Sequence, residues 1–196
     1  MRKICATMAS LVSTLMAFHL IVLMSCYLTR TTSGVFSKQS PLFQSEKPIE
    51  KITQLHFYFH DNLTGRNPTT MQIIGAPKGS IGRFGTTYMM DDPLTEGPDP
   101  SSKIVGRSQG IYAIASQHEL GLLMVLNFAF NDSVFNGSSL SILGRNLVTE
   151  EVREMPIVGG SGVFRYSRGF ALARTFMFIA KSGLAIVEYN ITVLHV

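Results

Sequence analysis

Apolar and polar residues alternate along residues 52–61, a pattern that predicts a β-strand. Aromatic and branched side chains dominate this stretch, and a turn-forming run rich in asparagine, threonine and glycine follows it. Because side chains of a strand alternate between its two faces, Phe57, Phe59 and Asp61 share one face. Two interpretations of Asp61 stay open. Either its carboxyl ends a row of large apolar groups, which would raise its pKa, or its side chain caps the turn.

Similar patterns recur with turn signals between them. They predict further strands at residues 71–74, 83–90, 104–116, 121–130, 138–144, 170–180 and 184–196. Asp91-Asp92-Pro93 is expected to end the third strand, and residues 146–155 to form a charged connection. About eight strands without helical periodicity predict an all-β fold, either a sandwich or a closed barrel. Glycines within the strands favour the barrel, because they mark tight bends.

Residues 1–33 have the pattern of a secretory signal peptide, with basic residues, then an apolar stretch, then small polar residues. The alternative is a membrane anchor, since about 18 apolar residues can span a bilayer, but polar residues inside the stretch favour cleavage. Residues 34–50 are polar and aperiodic, which predicts a flexible arm. Residues 51–196 are then the β-barrel domain.

Removal of this leader would change the charge and the thiol chemistry of the protein. The whole chain carries 17 Lys and Arg against 13 Asp and Glu, but Arg2, Lys3 and Arg30 lie in the leader, so the mature chain is nearly neutral. No basic block remains to follow a phosphate backbone, which argues against nucleic acid as a partner. Cys5 and Cys26 also lie in the leader, so we predict no disulfide and no thiolate metal site.

Glycosylation sequons agree with secretion. Those in predicted turns begin at Asn62, Asn131 and Asn136, and a fourth, at Asn190, lies in a predicted strand and is the least favourable acceptor. We therefore expect a glycoprotein of the extracellular space, with no membrane attachment after cleavage of the leader.

Other motifs do not support a metal site, a phosphate loop or a hydrolase. His56 and His60 would stand about 13 Å apart on a strand, too far to share one zinc ion. The glycine-rich residues 159–162 lack the lysine and the helix of a phosphate loop, and no Gly-x-Ser-x-Gly elbow occurs. What remains is a polar set on an apolar scaffold, each member with an ordinary structural alternative: Asp61, Asp91, Asp92, Tyr112, Asn146 and Arg153.

Five blocks of sequence, in this order, resemble plant dirigent proteins. They are residues 57–61 (FYFHD), 90–95 (MDDPLT), 105–112 (VGRSQGIY), 135–138 (FNGS) and 153–164 (REMPIVGGSGVF). The resemblance covers about residues 52–196. It implies an eight-stranded antiparallel barrel of the lipocalin or allene-oxide-cyclase type, usually a homotrimer, secreted to the apoplast and working without a cofactor or metal.

The resemblance also implies roles for particular residues. Asp61 and Arg153 fall on the pocket acid and on the pocket arginine that stabilises negative charge. Asn146 stands where the lignan-forming branch carries a second pocket aspartate, and the terminal disulfide of that branch is absent. Both differences resemble the branch that includes pterocarpan synthases. The expected substrate-binding residues are Tyr112, Asn146, Phe59 and Asp92.

Dirigent proteins bind plant phenolics and set stereochemistry, which leaves three functions open. In the first, the barrel directs the coupling of monolignol radicals, such as those of coniferyl alcohol, in lignan biosynthesis, with a separate laccase or peroxidase as the oxidant. In the second, it removes water from an isoflavanol through a quinone methide, as pterocarpan synthases do. In the third, it is a cell-wall scaffold that retains phenolics without a defined product.

Overall fold

The computed structural model describes Met16 and residues 49–196; the predicted signal peptide, except for that one residue, and nearly all of the predicted arm lie outside the described residues. Residues 49–196 form nine strands, named here in chain order: β1 (Lys51–Asn62), β2 (Thr70–Ile74), β3 (Thr87–Thr95), β4 (Ile104–Ile114), β5 (Gly121–Phe130), β6 (Ser139–Leu147), β7 (Arg153–Ser161), β8 (Arg168–Ile179) and β9 (Leu184–His195). The only other regular segments in this part of the chain are two three-residue 3-10 turns, Ser133–Phe135 and Gly162–Phe164.

All neighbouring strands are antiparallel, in the order β1-β9-β8-β7-β6-β5-β4-β3-β2, and β1 also pairs with β3. This last pairing closes eight of the strands into a barrel. The short β2 pairs with the first half of β3, and β1 pairs with its second half along the same edge. The predicted eight-stranded antiparallel barrel is confirmed.

The sequence pattern located most strands closely, and residues 121–130 match β5 without a shift. The prediction that Asp91-Asp92-Pro93 ends the third strand is wrong, because β3 continues to Thr95. The N–H of Asp91 points toward the β2 side of β3, where it donates to the carbonyl oxygen of Thr69. Position 93 is two residues further along the same strand, so its backbone nitrogen points to the same edge, and proline has no N–H to donate there. Proline is tolerated in a strand at such an edge position.

The predicted connection at residues 146–155 is shorter than expected. β6 runs on to Leu147 and β7 begins at Arg153. Asn146 and Arg153 therefore lie on strands, and strands hold side chains in fixed directions better than loops do.

Large apolar side chains fill one half of the barrel interior. Phe57 on β1 packs against Phe128 on β5 and Tyr189 on β9, with ring centroids 5.0 and 5.8 Å apart. Phe164 and Leu140 are fully buried in the same half. We call this half, where β1 begins and β9 ends, the plugged half.

The outer surface of the barrel carries an in-register row of apolar residues across β2 to β6. Strand pairing aligns its members, Met71, Met89, Ile111, Val125 and Leu143. Four of them are exposed, with Met71 at 57% and Leu143 at 46% of their possible surface. We call this set the outer apolar row.

Candidate functional site

The opposite half of the barrel holds a cavity of about 340 Å³. It is open between the connections β4–β5, β6–β7 and β8–β9, which contribute Leu120, Val148 and Gly183 to its wall. A mostly apolar cavity with a few polar groups is typical of a site for a small molecule. The complete lining is Phe59, Asp61, Leu63, Tyr112, Leu120, Leu122, Met124, Asn146, Val148, Arg153, Thr175, Phe178, Gly183, Ala185, Val187 and Tyr189.

Asp61 projects into this cavity from the end of β1. Its side chain is 9% exposed, and the hydroxyl of Tyr112 donates to Oδ2 at 3.2 Å. Oδ1 is buried and has no hydrogen-bond partner among the described residues. Burial raises the pKa of Asp61, against smaller lowering effects of hydrogen bonds from Thr70 and Tyr112.

The turn after β1 is held by the next residue instead. Oδ1 of Asn62 accepts the backbone N–H of Thr64 at 3.3 Å. Of the two interpretations of Asp61, the structure therefore gives the buried carboxyl beside apolar walls, and the turn-capping role belongs to Asn62.

Arg153 and Asn146 contribute from neighbouring strands of the same wall. Nε of Arg153 donates to Oδ1 of Asn146 at 3.1 Å, and Nη1 donates to the carbonyl oxygen of Glu150 at 3.5 Å. Burial lowers the pKa of Arg153, but a guanidinium stays charged in proteins. The side chain of residue 146 is a neutral amide and not a carboxylate, so it does not neutralise the positive charge of Arg153.

Aromatic rings form two walls of the cavity. Phe59 meets Tyr189 edge to face at 6.1 Å between centroids, and Tyr112 stacks on Tyr88 at 4.9 Å. Burial raises the pKa of Tyr112 and that of Tyr189, so both phenols are neutral. Sequence reasoning identified Phe59 and Tyr112 but missed Tyr189, although alternation from Ala185 along β9 would have placed it inside.

Asp92, which was also predicted to contact the substrate, lies outside the cavity lining. It is fully buried, and the hydroxyl of Thr70 lies 3.1 Å from both of its carboxyl oxygens. Burial, reinforced by the charge of Asp61, raises the pKa of Asp92 to about 7. The structure therefore places a second carboxyl near Asp61, but that carboxyl does not line the cavity.

Phe178 reaches the mouth of the cavity because β8 contains a bulge between Thr175 and Met177. Thr175 pairs with Val187 and Phe178 with Ala185, and all four line the cavity. The extra residue changes the alternation, so that inward positions before and after the bulge are three apart. Strict alternation along the sequence places Met177 inside and misses Phe178.

The remaining predicted sites lie elsewhere. Asn62 is half-buried at the end of β1, whereas Asn131 and Asn136 are exposed in the β5–β6 connection at the plugged end. His56 is hydrogen-bonded to Glu188, and His60 to Thr95. Within the described residues no three metal-binding side chains converge, and no helix has the length and apolarity of a membrane span.

Together these groups set one carboxyl and one cation in a mostly apolar cavity. A carboxyl with a raised pKa can give a proton to a ligand oxygen and take one back. A buried guanidinium can stabilise negative charge that develops on another oxygen of that ligand. The aromatic walls favour a flat, ring-containing ligand.

Comparison with known proteins places this site in a family. Residues 52–194 match the model of the family described as dirigent-like protein. Pterocarpan synthase 1 of Glycyrrhiza echinata is 50% identical over 175 residues, which cover 86% of this chain and 90% of the relative. Dirigent protein 21 of Arabidopsis thaliana is 44% identical over 183 residues, with 92% and 96% covered.

A solved structure agrees with the sequence relatives. The pterocarpan synthase dirigent protein GePTS1 superposes with a TM-score of 0.71 at 50% identity, covering 78% of this chain and 99% of that one. The family model spans most of the chain, and relatives of nearly equal length match closely. The protein therefore belongs to the dirigent family and is similar to pterocarpan synthase.

Proposed function

We propose that this dirigent protein removes water from an isoflavanol and closes a ring through a quinone methide, as the name of its pterocarpan synthase relatives suggests. The observation that carries the proposal is the carboxyl of Asp61, which lines an apolar cavity and has one oxygen without a hydrogen-bond partner in residues 49–196. A cavity of about 340 Å³ lies at the small end of ligand sites, which suits one fused-ring phenol.

The proposed reaction uses a single acid twice. Protonated Asp61 gives its proton to the departing hydroxyl, the carbon–oxygen bond breaks, and water leaves. A phenol hydroxyl of the substrate gives its proton to solvent water as the quinone methide forms. A second hydroxyl then attacks the methide carbon, and the proton that this hydroxyl loses returns to Asp61. The phenol oxygen takes a proton from solvent water as its ring becomes aromatic again, so the net change is the loss of one water molecule.

The other polar groups orient and stabilise. Arg153 faces the phenol oxygen and stabilises its negative charge as electrons move toward the leaving group. The amide of Asn146 and the hydroxyl of Tyr112 fix the ring in one orientation, so that only one face is attacked. Positioning of this kind supplies stereoselectivity without further chemistry.

The test is product formation from an isoflavanol that carries a free hydroxyl on its pendant ring, without any oxidant, followed by chiral chromatography. We expect one enantiomer of the cyclised product. Asp61→Asn should lower the rate about 100-fold or more, the usual contribution of a positioned acid. Asp132→Asn, which changes an aspartate paired with Lys103 at the surface, should leave the rate unchanged. An unaltered rate in Asp61→Asn would remove Asp61 from the chemistry.

The second candidate is stereoselective coupling of monolignol radicals. It is favoured by the match to relatives named as dirigent proteins, such as Dirigent protein 21. In this reaction a laccase or peroxidase of the apoplast makes the radicals, and the barrel orients two of them. Asp61 would then protonate the oxygen of a quinone methide while a hydroxyl attacks it.

Coniferyl alcohol with a laccase, with and without the protein, separates this candidate from the first. An enantiomeric excess in the coupled product, together with no dehydration of the isoflavanol, would favour coupling. Racemic coupling and no dehydration, with binding of phenolics retained, would favour the cell-wall scaffold.

We also propose that the secreted protein works as a homotrimer. The outer apolar row presents exposed Met71, Met89, Val125 and Leu143 on one face of the barrel, and contiguous apolar surface of this kind marks an interface. Sedimentation should give three times the mass of the chain. Val125→Glu should yield monomers, whereas Gln109→Glu, on the same surface but outside the row, should not.

A further inference from the structure

The β1–β3 seam of the barrel is interrupted next to the cavity. The two strands pair at Tyr58↔Thr95 and Phe59↔Leu94. Two steps further in the same register, Asp61 would stand opposite Asp92. The ladder stops before that point, because Pro93 has no N–H to donate across it.

Residues Thr69 and Thr70 fill the gap between the strands. The N–H of Thr69 donates to the carbonyl of Asn62 at 2.9 Å, and the N–H of Asp91 donates to the carbonyl of Thr69 at 2.9 Å. Thr70 is fully buried, with its hydroxyl 3.1 Å from each oxygen of Asp92. The same hydroxyl is near enough to Asp61 to lower its pKa, although the hydrogen bond that it makes is to Asp92. Thr70 therefore lies beside both carboxyls.

The surroundings make two negative charges here unfavourable. Asp61 is nearly buried and Asp92 fully buried, and each carboxylate disfavours ionisation of its neighbour. Arg107 opposes this effect only from outside the barrel, where its Nε is 2.6 Å from Oδ1 of Asp91. The other titratable groups that act on this pair or its phenols are Tyr88, Tyr112, Tyr189 and Arg153.

We propose that Asp61 and Asp92 act as one acid–base unit joined by the Thr70 hydroxyl, in which Asp92 holds the proton that replenishes Asp61. This inference rests on the proposed role of Asp61. After Asp61 has given its proton to the leaving group, Asp92 protonates the Thr70 oxygen while the Thr70 hydroxyl proton passes to Asp61. When the attacking hydroxyl later gives its proton to Asp61, the relay runs in reverse and returns a proton to Asp92. One carboxyl becomes a carboxylate as the other is neutralised, so the charge of the pair does not change. Asp92 touches no ligand and is a positioning residue that acts through Asp61.

Carbon-13 NMR of the aspartate carboxyls tests the unit without any substrate. The chain has five aspartates, which single Asp→Asn variants can assign. We expect a carboxyl that titrates near pH 7, and the Asp61 signal should show an inflection at the same pH, as coupled groups do. In Asp92→Asn that inflection should vanish, and Asp61 should titrate in one step at lower pH.

Asp91→Asn is the matched control, since it changes the preceding residue on the outer face of the same strand. It should keep the coupled titration. An Asp61 titration that is the same in Asp92→Asn as in the wild type would overturn the unit. So would the absence of any carboxyl that titrates with a pKa raised toward the value of about 7 given by burial of Asp92 beside Asp61.

The relay through Thr70 has its own test. Thr70→Val should lower kcat for isoflavanol dehydration about tenfold with little change in KM, because reprotonation of Asp61 must then proceed through water. Thr70→Ser should restore it. Full activity in Thr70→Val would overturn the relay. If no variant dehydrates the isoflavanol, the proposed function fails while the NMR titration still decides whether the carboxyls are coupled.

Discussion

The plugged half and the cavity half of the barrel are built from the same strands but differ in what the inward residues do. β1 contributes Phe57 to the plug and Asp61 to the cavity, and β5 contributes Phe128 to one half and Met124 to the other. In the plugged half, rings pack against one another at about van der Waals distance. In the cavity half, polar groups face space that no side chain of residues 49–196 fills. Stability and chemistry are therefore separated along the length of each strand.

The largest effect should come from the plugged half. Phe128→Ala removes a fully buried ring that packs 5.0 Å from Phe57 and 5.1 Å from Tyr189. The free energy of unfolding should fall by about 3–5 kcal/mol, as for other buried Phe→Ala changes. Denaturant unfolding of Phe128→Ala and of Leu122→Ala, in the cavity wall, measures the contrast. A loss in the cavity variant as large as that in the plug variant would contradict the division.

Asp92→Asn should be more stable than the wild type at neutral and higher pH, but not at acidic pH. Below about pH 3 the carboxyl is protonated in both the folded and the unfolded chain, so it has no effect. As pH rises to about 7, the unfolded chain releases a proton that the folded chain keeps, and the wild type loses stability. A pKa raised from 3.8 to about 7 corresponds to a loss of about 2–4 kcal/mol once screening is allowed for.

Thermal unfolding of both proteins at about pH 3 and pH 8 measures this difference. Asp92→Asn should be more stable than the wild type at the higher pH and equal to it at the lower pH. A variant that is less stable at pH 8 would show that the carboxylate contributes more by hydrogen bonding than its burial costs.

Arg153→Met should affect catalysis far more than stability. Loss of the cation that stabilises developing negative charge should lower kcat by about 10²–10³-fold. Replacing a buried charge by an apolar side chain of similar length is often neutral for folding. Arg145→Met is the control, because Arg145 is exposed on β6 and pairs with Glu119. Comparable rates in the Arg153 and Arg145 variants would exclude the proposed role.

The smallest effect is expected at the mouth. Phe178 is 63% exposed and lines the cavity, so a bound aromatic ligand would cover it. Phe178→Ala should raise KM about fivefold, equivalent to roughly 1 kcal/mol of lost ring contact, with kcat unchanged. Phe176→Ala removes a neighbouring ring that packs on Tyr58 outside the barrel, and should leave KM unchanged.

Local pattern sufficed for much of the fold and for part of the site. Alternation in residues 52–61 indicated the first strand and the shared face of Phe57, Phe59 and Asp61, because a period of two is a property of a single strand. The segments with turn signals between them predicted eight of the nine described strands and missed β7, the start of which was predicted to belong to a charged connection. Elimination of other motifs left Tyr112, Asn146 and Arg153 as candidates, and only the resemblance to the family assigned them to the pocket. All three line the cavity.

What the sequence could not supply depends on contacts between distant strands. The bulge that turns Phe178 inward is a register shift against β9, and no local signal marks it. Asp92 lies behind the cavity wall because two strands share one edge of β3. β2 pairs with the first half of that edge and β1 with the second half. Asp91-Asp92-Pro93 has the composition of a strand end, and only the pairing with β4 shows that the strand continues.

The short seam also determines how solvent reaches the interior. β1 and β9 are paired at twelve positions, whereas β1 and β3 are paired at two. Local opening follows the fewest backbone hydrogen bonds, so amide hydrogen exchange should be fastest along β2 and the facing edge of β3. Each such opening would admit water to Asp92 from the outside, on the side away from a bound ligand. The shared proton of the two carboxyls would then exchange with bulk solvent while the mouth stays occupied.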